Sequence, residues 1–519
     1  MTRVIIIGGG IAGLSAAYYA SRLPDVEITL LESDSRWGGK ITTDRVPFDE
    51  DQFIIEGGPD TFLATKPWGV ALCKELGLAD RLHGTNPHQK NTYVLNRNRL
   101  LPLPDGLAMM IPTDIQAILK SRLVSWFSKA RMGLDFVLPP KPLNGDETLG
   151  TFVTRRLGRE AYENLIEPLM SGIYAGDGDR LSLASTFPYL RDLELKYGSL
   201  ARGALEMRKK SMGVQSGAVA PWRHLQTLHR RQESSNSVPG SRSAFLTPTT
   251  GLAEIVEKLI EHLTSNGVAL RLNTKAAKIT NYCEVSPTWR HGDTSPRGRL
   301  RYQAALASGE TLEADAIILA TPAFISGALL ASIDPALASD LQSIPYVSTA
   351  TISLAYRSSD IPRDLDGYGY LIPRREGRRA LACTWTSTKF PHRAPEGYAL
   401  IRVFVGRAGQ EIPWNENELL ELAKEEVRLT LGVTTNPLLH RVFLWDKAMP
   451  QYNLGHPEIL SRIDAALEKH PGLALAGNGY RGIGIPDCIH SGELAVRRII
   501  ATHLPWRVVP GEIQRSQSS

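Results

Sequence analysis

The stretch that decides the fold lies at the start of the chain, where residues 4–13 read VIIIGGGIAG. Its first four residues form a β-branched run of the kind that a buried parallel strand requires, and the run ends in a glycine turn. Gly8 permits the turn, Gly10 lets backbone N–H groups approach a pyrophosphate, and Gly13 lets the next helix pack against the strand. The N-terminus of that helix then faces the anion. This order of elements predicts a dinucleotide site.

An acidic residue at the expected spacing supports that prediction. Residues 28–31 predict a second strand, and Glu32 follows it nineteen positions after Gly13, where a carboxylate grips the ribose hydroxyl groups. The glycine motif alone is weak, because a plain structural turn would also explain it. Strand, helix and carboxylate together favour the dinucleotide site over the plain turn.

The next segment distinguishes FAD from NAD. Residues 32–40, ESDSRWGGK, place a second glycine pair and the cations Arg36 and Lys40 directly after the ribose carboxylate. This string resembles the double-glycine extension of the amine oxidase and porphyrinogen oxidase superfamily, in which the cation lies near the phosphates. The alternative is a surface turn.

Composition bounds the class of protein. The chain has 519 residues, 42% of them hydrophobic and 22% charged, which is typical of a globular protein of two or three domains. The net charge of +5 is too mild for a nucleic-acid-binding surface, although it suits a polyanionic substrate or an acidic membrane surface. The four cysteines lack disulfide or metal-site spacing, which fits a reducing cytoplasm. The sequence has no long uninterrupted apolar run, so no membrane-spanning helix is predicted.

The C-terminal region predicts the other end of the dinucleotide site. Residues 473–477, LALAG, are typical of a buried strand, and residues 477–500 predict a glycine loop that runs into a helix. Pro486 suits the first helical position and Asp487 the acidic first turn. Cys488 lies in this first turn. It could be a low-pKa redox thiol or a flavin attachment point, but a plain packing role is the favoured interpretation.

Four further strings carry a resemblance to a known family. They are IIEGGPDTFLATK (54–66), NLIEPLMSGIYAGDGDRLSLASTFP (164–188), CTWTSTKFPHRAPEG (383–397) and MPQYNLGHPEIL (449–460). In this order they resemble the flavin-dependent bacterial porphyrinogen oxidases over nearly the whole chain. The likeness favours the soluble coproporphyrinogen III oxidases over the membrane-docked protoporphyrinogen IX oxidases.

The resemblance implies an α/β fold in three parts. The parts are an FAD-binding Rossmann-like domain of the two-dinucleotide-binding, amine-oxidase-like type, an α+β substrate domain and a helical domain. The expected boundaries are 1–85, 244–300 and 440–519 for the FAD-binding domain, 91–104 and 301–439 for the substrate domain, 105–205 for the helical domain and 206–243 for a loop insertion. Residues 93–104, YVLNRNRLLPLP, also predict a hairpin, and residues 211–243 and 286–300 predict loops.

One non-covalent FAD per chain and no metal are the expected cofactors. The motifs and the resemblance together assign to FAD binding the residues Gly8, Gly9, Gly10, Ile11, Ala12, Gly13, Glu32, Ser33, Arg36, Gly39, Lys40, Gly58, Pro59, Asp60, Thr61, Ala276, Trp445, Gly477, Ile483, Gly484, Ile485 and Pro486. The backbone of Ala276 is expected at the adenine, although any core strand would show a small apolar residue there.

The activity that the resemblance implies is the aromatisation of a porphyrinogen, by hydride transfer to the flavin with oxygen as acceptor and release of hydrogen peroxide. No dedicated catalytic side chain is expected. The carbonyl of Gly172 is expected near the pyrrole nitrogens, and Lys66 and Arg97 near propionates; their alternatives are a helix-ending glycine and solvated surface cations. Trp385, Lys389 and His392 are expected to mark the substrate site, unless they form only a strand edge with a turn.

Alternative functions remain at this point. They are a protoporphyrinogen IX oxidase, a flavin amine oxidase or carotenoid desaturase, and a non-catalytic carrier on the same fold. An amine oxidase would show an aromatic pair before the flavin, whereas the segment 449–457 offers only Tyr452. A carrier would lose the nucleotide signature.

The expected partners are the porphyrinogen, molecular oxygen and a downstream ferrochelatase, and no nucleic acid. Residues 118–138 place Lys120, Arg122, Lys129 and Arg131 among apolar residues, as on an interfacial helix or on a solvated helical lid. The expected location is the cytoplasm, with peripheral contact at the inner face of the cell membrane as the alternative that such a helix would support.

Overall fold

A computed structural model describes residues 1–108, 110–112, 114–142, 145–213, 243–284 and 299–503. Of the predicted loops 211–243 and 286–300, residues 214–242 and 286–298 lie outside the described residues, as does the tail from 504. Residues 211–213 are helical and residues 299–300 are strand, which differs from the prediction. The strands are β1 (Thr2–Ile7), β2 (Val26–Leu31), β3 (Thr43–Phe48), β4 (Asp51–Glu56), β5 (Phe62–Leu63), β6 (Leu82–Gly84), β7 (Asn91–Asn96), β8 (Arg99–Pro102), β9 (Leu107–Ala108), β10 (Ile111–Pro112), β11 (Phe245–Pro248), β12 (Ala269–Arg271), β13 (Ala276–Glu284), β14 (Arg299–Leu306), β15 (Thr311–Ala314), β16 (Ala316–Leu319), β17 (Tyr346–Arg357), β18 (Gly367–Leu371), β19 (Ala380–Trp385), β20 (Tyr398–Val405), β21 (Leu439–Pro450) and β22 (Leu473–Leu475).

The helices are α1 (Ile11–Ala20), α2 (Pro67–Glu75), α3 (Ile115–Lys120), α4 (Trp126–Gly133), α5 (Leu149–Leu157), α6 (Arg159–Ala161), α7 (Glu167–Tyr174), α8 (Leu183–Thr186), α9 (Pro188–Tyr197), α10 (Leu200–Gly213), α11 (Ala253–Ser265), α12 (Ala323–Leu330), α13 (Pro335–Ser343), α14 (Thr386–Lys389), α15 (Glu416–Leu431), α16 (His456–Leu467) and α17 (Ile485–His503). A π-helical turn, Tyr162–Ile166, joins α6 to α7.

A five-stranded parallel sheet of order β12-β2-β1-β16-β22 forms the FAD-binding domain. Strand β1 is central and its side chains alternate between two cores. Val4 and Ile6 pack with α1, α11 and α17, whereas Ile5 and Ile7 pack with α12, α13 and α16. Burial on both faces explains the continuous apolar run that predicted this strand. The FAD-binding Rossmann-like fold is confirmed.

Two strands lie in a different sheet from the one that the expected domain boundaries imply. Residues 316–319 were expected in the substrate domain, but β16 lies in the parallel sheet between β1 and β22. Conversely, β21 was expected in the FAD-binding domain, but it pairs with β17 in the second sheet. A short apolar run predicts burial without indicating which sheet buries it, because strand pairing is a tertiary property.

The second sheet has seven strands in the order β21-β17-β20-β19-β18-β7-β8. Its outer strands include the predicted hairpin, in which β7 pairs antiparallel with β8 and Arg97 and Asn98 form the turn with positive φ. One face of the sheet packs on α15 in a closed apolar core. The opposite face carries the alternate side chains, among them Leu371, Arg402 and Phe404, and it turns toward the FAD-binding and helical domains.

The helical domain comprises α3 to α10 around its own apolar core. Helix α10 continues to Gly213, so the first residues of the predicted loop insertion 206–243 are helical. Helix α7 ends at Tyr174, and its C-cap residue Ala175 has left-handed backbone geometry with φ of 48°. Gly172 therefore lies inside the helix and does not end it, which excludes its alternative interpretation as a helix-ending glycine.

Candidate functional site

The N-terminus of α1 is an open anion site. Gly10 is the N-cap residue and contributes no side-chain hydrogen bond, and no acidic residue lies in the first turn. The first N–H groups of a helix have no intrahelical partner, and Ile11, Ala12 and Gly13 are buried. Among the described residues other than its chain neighbours, the nearest atom to a Cβ placed on Gly10 would be the Cα of Gly39, at 4.0 Å. The space and the donors fit a pyrophosphate.

Glu32 joins the end of β2 to the glycine turn. One carboxylate oxygen accepts the N–H of Gly9 at 2.7 Å, and the other accepts the N–H of Asp34 at 2.8 Å and the hydroxyl of Ser33 at 3.1 Å. The carbonyl of Glu32 accepts the N–H of Thr274 at 2.7 Å, which brings the turn before Ala276 beside the same carboxylate. This arrangement fits the ribose and adenine end of a dinucleotide.

The second glycine pair lies against the first. Gly38 donates its N–H to the carbonyl of Gly9 at 2.9 Å, and Arg36 donates to the carbonyls of Gly39 and Ile41 at 2.5 Å and 3.2 Å. Arg36 thus fixes the loop rather than pointing a free cation into the site. Lys40 shows no such bond among the described residues; burial lowers its pKa to about 8, against the weaker opposing influence of Cys488.

The two glycine turns and Glu32 together form a cradle for the dinucleotide. The loop 57–61 connects this cradle to the second sheet. The carbonyl of Gly57 accepts the hydroxyl of Thr351 at 2.7 Å and the indole N–H of Trp445 at 2.9 Å. The carbonyl of Gly58 accepts a guanidinium N–H of Arg402. Since N–H and C=O point in opposite directions across a peptide bond, the N–H of Gly58 points away from the sheet. A Cβ on Gly58 would lie 1.9 Å from the carbonyl oxygen of Lys40, so the two loops are in contact.

The start of α17 closes the other end of the cradle. Gly477 donates its N–H to the hydroxyl of Ser491 at 2.6 Å, and Gly484 donates to the carboxylate of Asp487 at 3.2 Å. Ile483 packs against the core of the helical domain, and Ile485 is buried in that of the FAD-binding domain. Burial raises the pKa of Cys488 to about 12, so its thiol is protonated and packs. The low-pKa interpretation is wrong.

These residues fit FAD. The fit rests on an uncapped helix N-terminus, a carboxylate at the strand end and glycines whose added Cβ atoms would meet open space, as at Gly10 and Gly477. The residues that would hold the cofactor are those of the two glycine turns, Glu32, the loop 57–61 and the start of α17. Among the described residues, no group of His, Cys, Asp or Glu side chains could hold a metal ion.

A second surface, the apolar wall, faces the cradle across the loop 57–61. Along β18, β19 and β20, the side chains that point away from α15 include Leu371, Thr384 and Phe404, and all three are partly exposed. Helix α7 lies opposite, and a Cβ on Gly172 would be 3.3 Å from Leu371. The predicted substrate residue Gly172 therefore borders this apolar wall. Sequence reasoning missed Leu371, Phe404 and Arg402; the alternation in ALIRVFV (399–405), with an arginine inside a strand, was the signal available for the last two.

Two of the predicted substrate cations form ion pairs within the protein. Lys66 binds both carboxylate oxygens of Asp487 at 2.6 Å, and Lys389 binds Asp60 at 3.0 Å. Burial alone would raise the pKa of Asp60, but Lys389 and two neighbouring arginines hold this pKa well below its usual range. Ionised groups thus hold the loop 57–61 against the second sheet.

Three other predicted substrate residues have different surroundings. Trp385 is fully buried in the core against α15, on the face of β19 opposite to Thr384, so it does not reach this surface. His392 lies 5.0 Å from the ring of His83; burial lowers its pKa to about 4, with further lowering by Arg393 and His83. It is therefore neutral at physiological pH. Arg97 lies exposed at the hairpin tip, where its backbone N–H bonds to Glu376 at 3.0 Å.

The aromatic candidate for an amine oxidase site is also placed. Tyr452 is fully buried, stacks on His456 with ring centroids 4.3 Å apart and donates its hydroxyl to the carbonyl of Asn478 at 2.6 Å. Its ring is thus held in the core and does not form one wall of an open aromatic pair.

Comparisons with known proteins agree with this geometry. Residues 11–500 match the family model of the flavin-containing amine oxidoreductases. A coproporphyrinogen III oxidase of Bacillus subtilis is 36% identical over 95% of this chain and 97% of its own length, and the human protoporphyrinogen oxidase is 30% identical over 96% and 98%. A crystal structure from Exiguobacterium sp. 255-15, described as that of a candidate protoporphyrinogen oxidase, superposes with a TM-score of 0.76 and 30% identity over 96% of this chain and 98% of that one. In the described part of the chain, no helix is long and apolar enough to cross a membrane.

Proposed function

The chain belongs to the flavin-containing amine oxidoreductases and, among them, to the porphyrinogen oxidases, and from this premise we propose that it oxidises coproporphyrinogen III to coproporphyrin III in haem biosynthesis. The observation that carries the proposal is the likeness to coproporphyrinogen III oxidases over nearly the whole chain. The loop 57–61 supports it, because it lies between the FAD cradle and the wall that carries Leu371 and Phe404.

Bound FAD supplies the two-electron acceptor for the reaction. The side chains of this protein position the substrate and set the electrostatics. The wall of the second sheet would hold one face of the macrocycle, with Gly172 of α7 at the border of that wall. Aromatisation removes six electrons and six protons from the porphyrinogen, and the proposal includes molecular oxygen as the acceptor, with three molecules reduced to three of hydrogen peroxide.

The choice of coproporphyrinogen over protoporphyrinogen is supported by charge. Coproporphyrinogen carries four propionates and protoporphyrinogen carries two. Lys66 and Lys389 lie at the edges of the cradle, and their side chains are 35% and 16% exposed. Each has a carboxylate partner, so a substrate propionate would share or replace that partner. A substrate with more carboxylates gains more from such cations.

A steady-state assay under air with both porphyrinogens tests the proposal. We expect the larger kcat/KM with coproporphyrinogen III and the formation of one hydrogen peroxide for each two-electron oxidation. A larger kcat/KM with protoporphyrinogen IX would overturn the substrate assignment while leaving the FAD site intact. Activity that persists unchanged without oxygen would overturn oxygen as the acceptor.

The proposal also includes peripheral contact with a membrane. Trp126 and Phe127 of α4 are 73% and 84% exposed, and the ammonium group of Lys129 lies 4.2 Å from the ring of Trp126. Exposed aromatic side chains beside a cation are typical of interfacial helices. Co-sedimentation with anionic vesicles tests this, with the Trp126→Ser/Phe127→Ser variant as control; no binding by the unmodified protein would refute the contact. A downstream ferrochelatase as partner stays a prediction.

A further inference from the structure

Arg402 of β20 is a buried cation that bonds to the loop 57–61. It is 2% exposed, donates one N–H to the carbonyl of Gly58 and places its guanidinium 4.7 Å from the ring centroid of Phe404. Its Nε and Nη1 atoms are buried and have no hydrogen-bond partner among the residues that the structure describes. No carboxylate in the described part of the chain forms an ion pair with it. Burying a cation in this way is costly unless its charge is used.

The neighbouring charges do not neutralise Arg402. Asp60 pairs with Lys389 at 3.0 Å, and Glu56 pairs with Arg393 at 3.2 Å. Asp60 in the loop and Glu56 directly before it thus each have a cation of their own. Arg402 is the additional positive charge. Burial lowers its pKa to about 10, against the opposing influence of Asp60 and Glu56, so it stays protonated at neutral pH.

We propose that Arg402 is a positioning residue for the flavin and that its charge favours the anionic reduced form of the bound cofactor. Arg402 acts on the cofactor through the loop. Thr351 and Trp445 hold the carbonyl of Gly57, so the N–H of Gly58 in the same peptide points to the other side. Arg402 holds the next carbonyl, that of Gly58, and places its charge directly behind this turn. Fixed donors and charges in a dry site stabilise developing negative charge without reorganisation. This inference uses the FAD site and is independent of the porphyrinogen that is oxidised.

The test is the two-electron midpoint potential of the FAD-loaded protein, measured by anaerobic reductive titration against a reference dye. Arg402→Gln keeps a donor for the carbonyl of Gly58 and removes the charge, whereas Arg402→Lys keeps the charge. We expect Arg402→Gln to lower the potential by about 30 mV or more, which is a tenfold change in the equilibrium between oxidised and reduced flavin. Arg402→Lys should stay near the unmodified protein.

Arg407 offers a matched control. It is also fully buried, but it bonds to the carbonyls of Ile372 and Ala380 and lies near Glu167, away from the loop. Arg407→Gln should leave the potential unchanged. An unchanged potential in Arg402→Gln would overturn the proposal. Equal decreases in Arg402→Gln and Arg402→Lys, or in Arg402→Gln and Arg407→Gln, would overturn it as well.

A variant of opposite sign keeps the proposal testable if Arg402→Gln does not retain FAD. Asp60→Asn removes a negative charge from the same loop and leaves Lys389 unpaired. The potential should then rise. A potential that falls or stays constant in Asp60→Asn would contradict an electrostatic influence of this cluster on the flavin.

Discussion

Gly13 of α1 lies so close to Gly8 at the end of β1 that a Cβ on Gly13 would be 1.8 Å from the carbonyl oxygen of Gly8. No side chain larger than hydrogen fits without separating the strand from the helix. The glycine spacing of the motif therefore has a direct steric cause in this molecule, and it sets where the N–H groups of the helix point.

Gly13→Ala should consequently lose FAD and stability together. Overpacking of this kind costs about 1–3 kcal/mol, and here the obstructing atom is backbone, so the upper end is expected. Thermal unfolding and the flavin content of the purified protein measure both effects. Gly133→Ala is the matched control: this helical glycine has open space around its Cβ position, so the variant should keep its FAD and gain about 0.5–1 kcal/mol.

Gly10→Ala should separate binding from folding. Gly10 has extended backbone, with φ of −72° and ψ of 175°, which alanine adopts without strain. Its Cβ would meet open space in the protein, in the region predicted for the pyrophosphate. We expect an unchanged melting temperature for the apo-protein and a dissociation constant for FAD at least about tenfold higher, or about 1.4 kcal/mol. Normal FAD affinity in Gly10→Ala would place the pyrophosphate elsewhere.

The local motifs predicted the first strand, glycine turn and helix of the FAD-binding fold, because these elements are specified by neighbouring residues. Contacts between residues that are far apart in the sequence could not be predicted in this way. The ion pair of Lys66 with Asp487 joins residues 421 positions apart, and nothing near Lys66 in the chain indicates its partner. Strand alternation predicts that Thr384 and Trp385 face opposite sides of β19, but it does not indicate which side faces the cofactor. Trp385 was expected in the site from the family resemblance, and it lies in the core on the other side of the strand.

The affinity for FAD should depend on pH through Lys40. Burial lowers its pKa to about 8 in the cofactor-free protein, and a nearby pyrophosphate would raise this pKa again. Because the bound form then holds the proton more tightly, affinity is highest below pH 8 and decreases as pH rises, by at most about tenfold per pH unit. Fluorescence titration of the apo-protein with FAD between pH 7 and pH 10 measures it. Lys40→Met should bind FAD more weakly at pH 7 and lose the pH dependence; a wild-type affinity independent of pH would refute the role.

Lys66 and Arg97 were both expected to meet propionates. An exposed ion pair contributes about 0.2–1 kcal/mol, and an enclosed, hydrogen-bonded one contributes several times that. Lys66 is half-buried beside α17, whereas Arg97 lies exposed at the hairpin tip. Lys66→Met should therefore lower kcat/KM for coproporphyrinogen about tenfold or more, and Arg97→Met should lower it less. The loss for protoporphyrinogen should be smaller in each variant, because it brings fewer carboxylates.

A double variant separates substrate binding by Lys66 from its pairing with Asp487. Lys66→Met leaves the carboxylate of Asp487 without its cation, which could by itself disturb the start of α17. Lys66→Met/Asp487→Asn removes that uncompensated charge and keeps an acceptor for the N–H of Gly484. If Lys66 binds a propionate, kcat/KM for coproporphyrinogen stays low in the double variant while FAD content is normal. Recovery of kcat/KM to the wild-type value, or equal losses on both porphyrinogens, would show that Lys66 only stabilises the helix start.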